Sequence, residues 1–156
     1  MKPAINRIHK AKNREKGSVA VEFAMMLPLL GILLLGVMEG GSIVRDYQVL
    51  RNAAREGARF SANPANQVAL SQNSGATLQT IQDRVVAYLQ NENITVADGN
   101  VIVDQAYPIQ IGNLTVMGSH VTVTYTRPLI FPGVTSLIPS LSTLQLSGDA
   151  VFRNFY

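Results

Sequence analysis

The chain has 156 residues, no cysteine and a formal net charge of +3. The lack of cysteine excludes disulfides, thiolate metal ligands and cysteine nucleophiles, and the length allows one modest domain. The charge is unevenly distributed, because residues 1–17 carry +5 and the remaining 139 residues carry −2. Removal of that basic segment would therefore leave a slightly acidic chain. A chain with a net negative charge is not expected to bind nucleic acid.

A basic leader, residues 1–17, is followed by a long apolar segment. Residues 23–38 read FAMMLPLLGILLLGVM without a charge, which predicts a helix of roughly 24 Å, or nearly 30 Å with its uncharged flank. No small-residue cleavage pattern follows Met38, so we expect the segment to be retained as a transmembrane helix. The positive-inside rule places the leader in the cytoplasm and the rest of the chain on the far side.

One carboxylate, Glu22, lies at the start of the apolar segment. A charge at the edge of the hydrocarbon costs a few kcal/mol unless it is neutralised. If the chain is cut between Gly17 and Ser18, a new α-amino group appears one helical turn before Glu22, and a neighbouring subunit could supply a second one. The open alternative is a hydrated Glu22 at headgroup depth in a plain signal anchor.

The helix is predicted to continue over residues 42–62, giving about 45 residues and ~67 Å from Ser18 onward. Its apolar positions recur at three- and four-residue spacing; they are Ile43, Tyr47, Leu50, Ala54 and Ala58. Three arginines one turn apart form what we call the basic ridge: Arg51, Arg55 and Arg59. Asp46 and Glu56 are expected to relieve part of its self-repulsion. The ridge could meet lipid headgroups or acidic patches on another subunit, or it could be a solvated face.

Two blocks, GSVAVEFAMMLP at residues 17–28 and QVLRNAAREGAR at residues 48–59, resemble the TadE-like family of minor pilins, or pseudopilins, of the tight-adherence pilus. The leader also resembles a type III signal sequence. The resemblance implies removal of residues 1–17 by a prepilin peptidase acting between Gly17 and Ser18. It further implies that Glu22 and Phe23 act in assembly with neighbouring subunits.

The same resemblance implies the partners and the location. The partners would be the prepilin peptidase, other pilins and minor pilins, pilus assembly platform proteins and membrane lipid, without a cofactor, a metal or a nucleic acid. The location would be the bacterial inner membrane, with a periplasmic C-terminal head and with or without incorporation into the extracellular pilus. Pro28, Gly31 and Gly36 are predicted to bend the helix or to permit close helix packing, although they are also common transmembrane residues.

The soluble head, residues 63–156, is predicted to be α+β, so the expected fold is type IV pilin-like: a long N-terminal helix, a second amphipathic helix and a small antiparallel sheet. The transmembrane and juxtamembrane parts of the long helix are residues 18–41 and 42–62. Within the head, hydrophobic periodicity and turn residues predict these elements: a helix over 77–91, strands at 94–96 and 101–103 joined at Asp98-Gly99, a hairpin over 109–116, a strand over 121–126, a Pro-rich crossover over 128–142 and a last strand over 144–152.

Catalytic chemistry is not predicted, and the chain is expected not to be an enzyme. His120, expected at the start of a strand, is the only histidine outside the leader, and no nucleophile motif or phosphate loop is present. A calcium site built from Asp98, Asp104 and Asp149 is disfavoured because nothing fixes their spacing. Two alternatives stay open: a single-pass anchor that displays a binding or adhesive domain without polymerising, and a periplasmic enzyme on an anchor.

Overall fold

The computed structural model describes residues 5–68, 74–129 and 142–154. It has a long N-terminal helix, a second helix and a three-stranded antiparallel sheet in the order β1-β2-β3, which is the predicted α+β, pilin-like layout. Two short 3₁₀ turns, Pro64–Asn66 and Asp98–Asn100, lie between these elements. The helices and strands are α1 Ile5–Ser61, α2 Ser74–Asn91, β1 Val101–Ile111, β2 Leu114–Pro128 and β3 Thr143–Arg153. Contacts divide the chain into two units, Met1–Gly41 and Ser42–Tyr156.

The second unit contains the hydrophobic core. Small residues on one face of α1 let α2 and the sheet approach closely. At Gly57, a Cβ would lie 2.5 Å from Val85 Cγ2 and 3.3 Å from Val121 Cγ1. The core is formed by α1, α2, the segment after α2, and β1 and β2; its fully buried apolar members include Leu50, Ala53, Ala54, Ala58, Val85, Leu89, Val121 and Val123. The small residues of α1 therefore pack against the protein's own head.

The apolar face of α1 differs from the prediction at one position. Leu50, Ala54 and Ala58 are fully buried, as expected, whereas Tyr47 is 42% exposed. The Arg51 guanidinium lies 5.8 Å from the centroid of the Tyr47 ring. Tyr47 thus belongs to the face that carries the basic ridge, where its ring supports a cation instead of filling the core.

The end of α1 is held by side chains that replace its missing hydrogen bonds. Gln67 Nε2 donates to the carbonyl oxygen of Ser61 at 2.6 Å, and Asn66 Nδ2 donates to that of Phe60 at 2.9 Å. The last carbonyls of a helix have no partner within the helix. The helix ends at Ser61, one residue before the predicted end at residue 62.

The sheet confirms two predicted features. Ile111 pairs with Leu114 across a two-residue turn in which Gly112 has a φ of +60°, which suits a residue without a Cβ. The alternating segment from residue 121 lies in the middle of β2, with Val121 and Val123 buried and the intervening Thr122 only half-buried. The predicted crossover falls mostly on residues 130–141, which lie outside the described residues.

The predicted hairpin over residues 94–103 is wrong in its first strand, residues 94–96, whereas the second strand, residues 101–103, is confirmed as the start of β1. Ile94 and Val96 are buried but not in a strand, because they follow a Schellman ending of α2. Asn93 has a φ of +61°, its N–H donates to Gln90 O at 3.0 Å, and the Ile94 N–H donates to Leu89 O at 2.9 Å. Ile94 then packs into the core with Leu89. The apolar residues at 94 and 96 resemble a strand in the sequence because they are buried after the end of the helix, not because they pair with another strand.

Candidate functional site

The predicted processing and assembly residues lie on α1. Ser18 and Glu22 are one turn apart, and Ser18 Oγ donates to Glu22 Oε1 at 3.2 Å. Both side chains are exposed, and so is Phe23, at 65%. An α-helix places residues i and i+4 on the same face, so Ser18, the residue that follows Gly17, shares a face with the Glu22 carboxylate.

The segment after Glu22 presents its apolar side chains outward. Large hydrophobic residues from Phe23 to Met38 are more than half exposed, which would be unfavourable in water. In the described part of the chain, α1 is the one helix that is long and apolar enough to cross a membrane, judged by length and composition. This exposed apolar surface suggests that α1 anchors the chain in a membrane.

Pro28, Gly31 and Gly36 lie inside this apolar segment. The helix continues through Pro28. No heavy atom lies within 4 Å of the position that a Cβ would take at Gly31 or Gly36, apart from the neighbouring helix backbone. Within the described residues these glycines therefore leave open helix surface, and what packs on that surface stays a prediction.

The basic ridge lies on the exposed face of α1 in the second unit, and all three of its arginines are exposed. The expectation that Asp46 and Glu56 relieve its repulsion is wrong. Asp46 forms an ion pair with Arg127 of β2, and Glu56 forms one with Arg84 of α2 at 2.6 Å. Arg84 also stacks over the Phe60 ring, 4.7 Å from its centroid.

Both acids near the ridge are thus engaged by cations from other elements. No carboxylate of the described residues lies within ion-pair distance of any ridge arginine. Three like charges at one-turn spacing repel one another. The ridge is consequently a surface of uncompensated positive charge.

The residues considered for chemistry do not converge. No group of three or more His, Asp or Glu side chains in the described ranges could hold a metal ion. His120 lies within β2, not at its start; its Nε2 is 3.9 Å from Asp149 Oδ2 and 3.4 Å from Thr122 Oγ1, and its ring is 4.7 Å from that of Tyr107. These contacts are those of a histidine on a sheet surface.

A groove of about 520 Å³ lies beside β1. Among its described lining residues Asp104 is the only ionisable one, and its Oδ1 accepts a hydrogen bond from the Ala106 N–H at 2.9 Å. An active site normally brings several titratable groups together. The groove therefore offers no support for the periplasmic-enzyme alternative.

Sequence reasoning missed a polar cluster at the end of α1. Ser61 Oγ donates to Ser119 Oγ at 3.1 Å, Ser119 Oγ donates to Asn154 Oδ1 at 2.8 Å, and Gln105 Nε2 donates to Ser61 Oγ at 2.8 Å. The four residues come from α1, β1, β2 and the segment after β3. No local pattern marks them, because their sequence separations range from 35 to 58 residues.

Comparison with known protein families gives a match in the N-terminal part of the chain. Residues 17–59 match the family model described as TadE-like protein. No curated protein and no solved structure matches the chain. The matched segment begins at Gly17, contains Glu22 and the apolar surface, and ends at Arg59, the last arginine of the basic ridge. Over these residues the chain is similar to TadE-like proteins, which is consistent with a component of a Tad pilus system.

Proposed function

We propose that this protein is a minor pilin, or pseudopilin, that takes part in the assembly of a Tad-type pilus and so contributes to adhesion indirectly. The observation that carries the proposal is the TadE-like match over residues 17–59 on a helix whose apolar surface is exposed. The work of the protein is then assembly through helix packing, without a catalytic step of its own.

Processing is the first step of the proposed function. A prepilin peptidase cuts between Gly17 and Ser18, which removes the basic leader and makes Ser18 the first residue of the helix. The new terminus carries an α-amino charge and the positive end of the helix dipole, and both favour a carboxylate one turn away. The shared face of Ser18 and Glu22, with 3.2 Å between Ser18 Oγ and Glu22 Oε1, supports this arrangement.

Assembly is the second step. The apolar segment from Phe23 to Met38 holds the processed protein in the inner membrane, with the head in the periplasm. Glu22 then pairs with the amino terminus of a neighbouring pilin and sets the register between the two helices. Pro28, Gly31 and Gly36 let the packed helices bend and approach each other closely. The assembly platform proteins extract the packed subunits from the lipid.

The test is N-terminal sequencing and intact mass of the protein from the membrane fraction and from sheared pili. We expect Ser18 as the first residue in both fractions. Ser18 in the membrane fraction alone restricts the role to starting the pilus. An intact leader in both fractions contradicts the proposal and favours a membrane-anchored binding domain that does not polymerise.

A further inference from the structure

Besides the basic ridge, the second unit carries an exposed pair of acids on another surface. Asp83 lies on α2, and Asp98 begins the 3₁₀ turn that precedes β1. Gln79 joins them, because its Nε2 donates to Asp83 Oδ1 at 3.0 Å and to Asp98 Oδ2 at 3.3 Å. The two carboxylate oxygens are therefore within about 6 Å of each other. We call Asp83 and Asp98 the acidic pair.

The acidic pair carries uncompensated negative charge, just as the ridge carries uncompensated positive charge. Both carboxylates are exposed, and no arginine of the described residues is within ion-pair distance of either. Two like charges this close repel each other unless a cation comes between them. The Gln79 amide supplies hydrogen bonds but no charge.

The spacings of the two surfaces are compatible. Successive arginines of the ridge are four residues apart, which is a rise of ~6 Å along α1. Two neighbouring guanidinium groups can thus each meet one carboxylate of the acidic pair. Guanidinium is the cation best suited to this contact, since it donates two parallel hydrogen bonds to a carboxylate.

We propose that the basic ridge of one copy of this protein docks on the acidic pair of a second copy. This inference rests on the proposed function, because assembly brings copies side by side. The contact joins two different surfaces, so each docked copy keeps one free ridge or one free acidic pair. Such a heterologous contact continues into an open string instead of closing as a twofold dimer.

A lipid surface is the competing partner for the ridge. Anionic headgroups would neutralise the arginines, but they would leave the charge of the acidic pair uncompensated. A second copy compensates both surfaces in one contact. Charge complementarity therefore favours the second copy.

The contact can be tested by cross-linking, since the full-length chain has no cysteine of its own. One tagged copy carries Asn52→Cys beside the ridge, and a differently tagged copy carries Ala87→Cys one turn after Asp83; both positions are exposed and keep every charge. The two copies are expressed together, and their membranes are treated with a short bis-maleimide. The matched control replaces Ala87→Cys by Asn113→Cys at the exposed tip of the β1–β2 hairpin.

We expect an adduct between the two tags about fivefold above the control pair, and weaker at high salt. Arg55→Glu in the first copy, or Asp83→Lys in the second, lowers the yield to that of the control, and the two changes together restore it. A yield equal to the control, or one that ignores both charge changes, overturns the inference. It is also overturned if Arg55→Glu leaves the adduct unchanged, while replacing the anionic phospholipids of reconstituted vesicles by neutral ones changes the adduct yield.

Leader removal, measured by mass in the same samples, separates this inference from the proposed function. Mature protein without the adduct would refute the contact and leave the proposed function standing. An adduct between copies that retain residues 1–17 would support the contact and refute the proposed processing.

Discussion

Arg127 of β2 and Asp46 of α1 form an ion pair inside the second unit, although 81 residues separate them in sequence. Their side chains are only 9% and 12% exposed. Arg127 Nη2 also donates to Ser42 Oγ at 2.9 Å. Charges that have lost most of their hydration depend strongly on each other. The pair therefore fixes the end of β2 to the first turns of α1 in the second unit.

Asp46→Ala is expected to destabilise the second unit by roughly 3–5 kcal/mol, because the buried guanidinium of Arg127 loses its ion pair with the Asp46 carboxylate. Pulse proteolysis of the full chain in detergent, over a urea series, measures the change. The matched control is Arg45→Ala, which removes an exposed ion pair with Glu92 (3.7 Å) and should cost less than about 1 kcal/mol. An equal loss of unfolding free energy in the two variants would show that the buried ion pair stabilises the protein no more than the exposed one.

Gly148 of β3 lies directly against the backbone of α1. A Cβ there would lie 2.6 Å from the carbonyl carbon of Leu50 and 2.7 Å from the nitrogen of Arg51. Backbone atoms cannot turn aside as a side chain can, so Gly148→Ala should cost at least about 1–3 kcal/mol. Gly99→Ala is the control, because nothing lies within 4 Å of that Cβ. The same proteolysis assay compares them, and a Gly148→Ala protein as stable as Gly99→Ala would contradict the close packing.

The elements that could be predicted from the sequence are those with local signals. The uncharged apolar run and helical periodicity identified α1 from residue 18 onward, although the helix begins earlier, at Ile5, and periodicity also identified α2. Alternation identified the centre of β2, and Gly112-Asn113 identified the turn between β1 and β2. The segment around Gly17 and Glu22 was recognisable because the basic leader, the single carboxylate and the apolar segment follow one another directly in the sequence. In each case the determining residues are within a few positions of one another.

The ion pairs could not be predicted in the same way. Local spacing assigned Asp46 and Glu56 to the neighbouring ridge arginines, whereas the fold gives Asp46 to Arg127 and Glu56 to Arg84. Those partners reach the acids only after the strand and helix have packed. The isolation of the ridge is therefore a property of the tertiary structure, and so is the meeting of Asp83 with Asp98 at Gln79.

Gln105 of β1, a member of the polar cluster, links the sheet to the end of α1 and to the segment that follows α1. Its Nε2 donates to Ser61 Oγ and to Asn66 O, each at 2.8 Å, and its Oε1 accepts from the Val68 N–H at 2.6 Å. Gln105→Leu should cost about 2–3 kcal/mol, because partly buried polar atoms lose their partners. The control is Gln110→Leu, at an exposed position of the same strand. Urea-dependent proteolysis should separate the two, and an unchanged midpoint for Gln105→Leu would show that the cluster contributes little.

Gly17→Leu is expected to block maturation, because a bulky side chain next to the cut bond hinders the prepilin peptidase. The mass of the membrane-bound protein should then include residues 1–17, while the amount inserted stays unchanged. Gly31→Ala is a suitable control, since it alters a glycine in the apolar segment where a Cβ meets no other side chain. A normal mature mass for Gly17→Leu would place the cleavage site elsewhere.

Glu22→Ala is expected to leave membrane insertion and leader removal intact but to reduce pilus number by about tenfold or more, since a charge pair in an apolar setting is lost. Ser18→Ala is the control, because it distinguishes the Ser18 hydroxyl from the α-amino group of a neighbouring subunit as the partner of the Glu22 carboxylate. It removes the Oγ contact of 3.2 Å but keeps the α-amino group that processing creates. If the amino group of a neighbouring subunit is the partner, Ser18→Ala assembles normally and only Glu22→Ala fails. Counting pili by electron microscopy decides the matter, and normal numbers for Glu22→Ala would remove the carboxylate from the assembly mechanism.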